Sequence, residues 1–143
     1  MQNRGNRDRN LTHYHTNSHG GNHTMSTFDH TGLIKNINQH LVSLRKSQPD
    51  AMQAFGQLAR SSMAEGSVSA KHKELMALAI GITQHCSGCI GFHVKALIKL
   101  GCTRQELEEM LAVCVYMGGG PALMYTAEAL SAFELMSADA VSA

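Results

Sequence analysis

Two cysteines three residues apart, and a histidine four residues beyond the second, stand in the stretch HCSGCIGFH, residues 85–93. If this stretch opens a helix, Cys86 and Cys89 lie one turn apart on the same side, and Cys89 and His93 are stacked neighbours at i and i+4. Unpaired amide groups and the dipole at a helix start favour a thiolate. A neighbouring imidazole can accept the thiol proton and then hold the anion as an ion pair. Surroundings of this kind take a thiol pKa from about 8.5 towards 7 or below, where the nucleophile is populated at neutral pH. The chemistry on offer is that of a redox dithiol. Zinc accepts the same ligand types, but usually wants a fourth from a distant second pair. The other two cysteines suit that poorly: Cys102 sits at a helix boundary, and Cys114 lies in an apolar helix where a buried structural thiol is the default. A bare structural role, or a non-catalytic oligomeric binding protein, is the remaining reading.

The two cysteines are not equivalent. Cys89 has His93 one turn ahead on its own face, whereas the i+4 position from Cys86 holds Ile90. Cys86 gains from standing nearer the helix start, but a dipole at an exposed site is worth only about 0.3–1 kcal/mol. An imidazolium at hydrogen-bonding distance exceeds that. This favours Cys89 as the attacking thiolate and Cys86 as the resolving one, with the reverse order, used by thioredoxin-type CxxC pairs, as its rival. A further participant follows from hairpin geometry. If the helices on either side of Thr83 and Gln84 fold back on each other, Glu74 faces His93. Glu74 is the one acid in an otherwise apolar helix, and a carboxylate there would orient the imidazole and raise its basicity. The plainer reading is a solvated first-turn acid.

The elements that must position these groups are helical throughout. Leu33, Ile34, Ile37, Leu41 and Leu44 form one stripe. Pro49 and Asp50 start a second helix that runs to Gly66. Ser69 caps a third, AKHKELMALAIGIT, and the fourth runs from the cysteines to a glycine stop at Gly101. Thr103 and Glu106 form a capping box for a fifth helix to Met117. GGGP then breaks the chain, and Pro121 opens a sixth. These glycines lack the lysine and the strand–loop–helix setting of a phosphate loop.

With 143 residues, 43% hydrophobic, two prolines and no tryptophan, the chain has room for one all-α domain, a compact bundle of about six helices. The third and fifth helices are apolar nearly all round, more than so small a domain can bury alone, which predicts a homo-oligomer. Residues 1–24 hold Arg4, Arg7, Arg9 and Asp8 with little to bury, and read as a disordered polar tail before a domain at 25–143. The tail histidines, His13, His15, His19 and His23, lack the Cys or carboxylate cluster that would complete a metal site. Met25 is a plausible start, and the tail should be dispensable. A net charge of +1 offers no field for nucleic acid or anionic lipid. No membrane-spanning run and no secretory pattern is expected, so the location read is cytoplasmic, where cysteines tend to be catalytic or metal-binding.

Glu74, Cys86, Cys89 and His93, with their three spacings, resemble the signature of the alkylhydroperoxidase D-like branch of the carboxymuconolactone decarboxylase superfamily. The later YMGGGPA is similar to its second half, and the likeness covers roughly residues 30–137. The resemblance implies an all-helical fold assembling as trimers or hexamers. It also implies an antioxidant peroxidase with a thiol–disulfide centre and no cofactor, fed by a dithiol electron donor, lipoyl-bearing or thioredoxin-like. By the same resemblance, Cys89 attacks the peroxide, Cys86 resolves it, and Glu74 and His93 relay the proton. The best-known peroxidase members carry a histidine between the cysteines, where this chain has Gly88. The lactone-decarboxylase branch, an alternative activity, generally lacks the cysteine pair.

Overall fold

The computed structural model describes residues 28–142, so the expectations for residues 1–24 lie outside the described part. Five helices follow one another: α1 (His30–Ser47), α2 (Pro49–Met63), α3 (Ala70–Thr83), α4 (Ser87–Lys99) and α5 (Arg104–Ser142). No strand occurs among the described residues, and the all-α expectation holds.

The helix ends show why the chain breaks where it does. Asp29 caps α1 through the amide of Gly32 at 2.8 Å, Pro49 occupies the first turn of α2, and Ser69 caps α3 through the amide of His72. Thr103 and Glu106 form the expected reciprocal box, with the Glu106 amide donating to Thr103 Oγ1 at 3.1 Å and the Thr103 amide donating to Glu106 Oε2 at 2.8 Å. Glu106 also accepts from Lys71 Nζ at 2.6 Å, which ties the start of α5 to the start of α3. The Lys71 ammonium, helped by the Thr103 amide, holds the Glu106 carboxyl at about 2.

The expected sixth helix is the second arm of α5. The helix runs through GGGP with one residue, Gly119, out of helical geometry at φ 64° and ψ −151°. A positive φ costs a glycine nothing, and Pro121 needs no amide donor just after the break. Because the arms join, Arg104–Val141 has the length and composition of a membrane span, which corrects the expectation that no run does. A mostly buried core helix meets the same criterion, whereas 22% of this apolar window is buried in the single chain. Here Leu107, Leu111, Ala122, Ala129 and Ala132 of α5 are buried with Leu78 and Ile82 of α3 and Ile90, Val94 and Leu97 of α4 in one core.

α3, α4 and the two arms of α5 make that core, and α1 lies across α4. α2 has no buried residue, leaving Phe55 and Leu58 exposed. Met76 and Ile80 of α3 and Val113 and Met117 of α5 are exposed as well.

Candidate functional site

The turn between α3 and α4 builds the site. Gln84 ends α3, His85 takes a positive φ of 56°, and Cys86 follows in an extended conformation. The His85 amide donates to Ile82 O at 3.1 Å and the Cys86 amide to Gly81 O at 2.9 Å. This is a Schellman motif with histidine in the position that glycine usually fills. The turn after α4 repeats the pattern with Gly101 at φ 67°, the Gly101 amide on Ile98 O and the Cys102 amide on Leu97 O. A left-handed conformation costs a non-glycine residue roughly 1–2 kcal/mol. The His85 ring is stacked on Tyr125 of α5, with centroids 4.7 Å apart and planes 12° from parallel, an arrangement worth about 0.5–1.5 kcal/mol.

Cys86 thus closes α3 with its amide and opens α4 with its side chain, its Sγ accepting the Cys89 amide at 3.2 Å. Cys86 and Cys89 are joined in a disulfide, with Cα atoms 5.3 Å apart. Both residues keep partial solvent exposure. One turn further along α4, His93 Nδ1 lies 2.7 Å from Glu74 Oε2. The hairpin register expected from the sequence therefore brings the two side chains together. A carboxylate only accepts, so Nδ1 donates in this contact, and in the neutral imidazole the lone pair is then on Nε2. The Glu74 side chain is 15% exposed and that of His93 30%, so the pair is partly sheltered from solvent.

Two glycines set how closely the helices approach. A Cβ on Gly81 of α3 would stand 3.1 Å from Cys89 Cβ, so the missing side chain lets α3 lie against the first turn of α4, which carries the disulfide. A glycine inside an apolar helix is a known sign of close approach, and IGIT in α3 carried it. We expect Gly81→Val, which adds branched bulk against Cys89, to cost about 1–3 kcal/mol by overpacking. Urea unfolding of the oxidised protein reads this, and a midpoint equal to wild type would mean that α3 yields freely. At Gly88, between the cysteines, a Cβ would meet Ile37 Cδ1 of α1 at 3.0 Å. The position between the two cysteines is here covered by an aliphatic side chain.

A second histidine–glutamate pair was not legible in the sequence, its members lying 98 residues apart. His30, 2% exposed at the start of α1, contacts Glu128 of α5 through Nε2 at 2.9 Å and the Phe28 carbonyl through Nδ1 at 3.2 Å. It fastens α1 to α5. Cys102 and Cys114 are buried and outside the disulfide, and burial raises both thiols. Neither is disposed to react as a thiolate. Among the described residues, no group of three or more His, Cys, Asp or Glu side chains comes together in a way that could hold a metal ion.

An all-helical core carrying a CxxC disulfide at a helix start, one turn from a carboxylate-bound histidine, defines a small helical protein with a paired-cysteine site. The chain belongs to the carboxymuconolactone decarboxylase family, whose model matches residues 49–132. The cysteine pair is consistent with the CxxC-containing branch. Among solved structures it is similar to the apo form of a carboxymuconolactone decarboxylase family protein from Legionella pneumophila, at 47% identity and a TM-score of 0.74, over 76% of this chain and 96% of that one. It is 36% identical over 112 residues to an uncharacterized protein of Cupriavidus necator, covering 78% of this chain and 99% of the relative. An uncharacterized Haemophilus influenzae protein is 33% identical over 111 residues, 77% of this chain and 95% of that one.

Proposed function

We propose that the protein is a thiol-dependent peroxidase and disulfide oxidoreductase, cycling Cys86 and Cys89 between dithiol and disulfide in antioxidant defence. The observation that carries this reading is the Glu74–His93 contact one helical turn from the Cys86–Cys89 disulfide. In the reduced protein, His93 Nε2 takes the Cys89 thiol proton, and Glu74 steadies the imidazolium that results. The thiolate attacks the distal oxygen of a hydroperoxide and breaks the O–O bond. The alkoxide leaves with the His93 proton as an alcohol, and Cys89 becomes a sulfenic acid. Cys86 attacks that sulfur and expels water, forming the disulfide. A dithiol donor, lipoyl-bearing or thioredoxin-like, then returns two electrons and two protons. A cytoplasmic location suits a centre that depends on such a donor.

The direct test uses purified protein with hydrogen peroxide and an organic hydroperoxide, each paired with dihydrolipoamide or thioredoxin as reductant. Turnover with at least one pairing, absent in Cys89→Ser, supports the proposal. A disulfide that neither donor reduces would sink it.

We also propose that the protein works as a homotrimer or homohexamer joined by apolar helix faces. α2 is an amphipathic helix with no buried residue, and Phe55, Leu58, Ile80, Val113 and Met117 are left to solvent in the single chain. Faces of this kind mark association surfaces. Light scattering at low micromolar concentration should give three or six times the 15.5 kDa chain mass, and a stable monomer would contradict the proposal.

A further inference from the structure

We infer that His85 and Tyr125 are positioning residues for the redox pair, their stacked rings holding the strained turn that makes Cys86 the N-cap of α4. This rests on the dithiol reading above and adds to it an element on α5 that controls how oxidising the centre is.

Two turns of the same design can be compared within the molecule. Gly101 adopts φ 67° after α4 with nothing within 4 Å of where a Cβ would stand. That turn needs no side chain to hold it, because glycine takes a positive φ freely. At the turn that carries the chemistry, the same conformation is imposed on His85 at φ 56°. Its ring meets that of Tyr125 at 4.7 Å and 12°. Strain of this kind persists where surrounding structure over-determines it, and it gathers at functional sites.

The consequence falls on Cys86. The hydrogen bond its amide donates to Gly81 O and its sulfur contact with the Cys89 amide both depend on the direction in which His85 sends the chain. If His85 relaxed to a right-handed or extended conformation, Cys86 could not stay at the end of α3 and at the start of α4 together. In the reduced pair one proton is shared between the two sulfurs, so an amide donated to Cys86 sulfur stabilises the anionic dithiol more than the neutral disulfide and favours the reduced protein. Loss of the stack should therefore make the pair harder to reduce.

The test is the reduction potential of the Cys86–Cys89 couple in glutathione or dithiothreitol redox buffers, using full-length protein. Tyr125→Leu should shift the equilibrium towards the disulfide by roughly threefold to tenfold, which is about 15–30 mV more negative for a two-electron couple. Tyr125→Phe keeps the stack and should leave the potential where it was. His85→Ala loses the ring but keeps the backbone cost, and should resemble Tyr125→Leu. His85→Gly takes the positive φ freely, and should stay near wild type and make a further Tyr125→Leu change silent. The His85 variants decide the matter even if Tyr125→Leu fails to fold. Equal potentials in wild type, Tyr125→Leu and His85→Ala would overturn the inference alone. So would a shift from Tyr125→Leu that is the same in the His85→Gly background as in wild type. Wild-type cysteines that do not cycle at all would overturn the dithiol reading and this inference with it.

Discussion

Cys89→Ser should bring oxidant consumption down to the buffer background, while Cys86→Ser should still consume one equivalent of peroxide and stop with a sulfenic acid on Cys89. The asymmetry follows from the helical position of each cysteine. Cys89 precedes His93 by one turn on the same helix, and His93 is held by Glu74 at 2.7 Å with Nε2 left as the basic nitrogen. Cys86 has the Cys89 amide at 3.2 Å, a neutral donor at a helix start. A neutral amide is worth less to a thiolate than an imidazolium able to take the proton and remain as a counter-ion. The amide contact is nonetheless the feature that favours the thioredoxin order, with Cys86 attacking first. Mass spectrometry after a dimedone-type trap separates the two. Label on Cys89 in Cys86→Ser supports the assignment made here. Label on Cys86 in Cys89→Ser, with none on Cys89 in the other variant, reverses it.

Glu74→Gln and His93→Ala should each slow the reaction with peroxide by about 10²–10⁴, the usual weight of a positioned proton carrier, without unfolding the protein. Glu74 and His93 are 15% and 30% exposed as side chains, so neither substitution opens a deep cavity. Glutamine is close in volume to glutamate but lacks the charge that orients Nδ1–H and stabilises the imidazolium. His93→Ala removes the base itself and should be at least as slow. The double variant should be little slower than His93→Ala alone, since the two side chains act as one unit. Stopped-flow peroxide reduction across pH 6 to 9 reads all three, with circular dichroism to show that the helices persist. Parent rates in both single variants would leave no relay to explain.

Much of this arrangement was legible in the chain because its causes are local. The caps at Ser69 and Thr103, the proline at the head of α2 and the glycine stop at Gly101 each act within a few residues, and the helix ends fall there. The approach of Glu74 to His93 was legible for a related reason. Two helices joined by a short turn have little choice of register, so counting outward from Thr83 and Gln84 found the pair. GGGP read as a full break, whereas only Gly119 leaves the helix and the two arms join as α5. One residue with φ of 64° is enough to redirect a helix while the hydrogen-bonded turns on either side continue.

The sequence by itself determined the all-helical fold and the spacing that puts an imidazole against a carboxylate one helical turn beyond the cysteine pair. Those depend on helical periodicity and on one hairpin. Tertiary structure alone decided the contacts made from α1 and α5: Tyr125 beneath the His85 ring, Ile37 over Gly88 and Glu128 on the buried His30. These contacts join positions far apart in the chain, 98 residues apart for His30 and Glu128. They are set by the angles at which α1 and α5 cross α3 and α4. Crossing angles come from side-chain packing over the whole core, where each residue is chosen against many neighbours at once, and no short-range pattern in the chain encodes them.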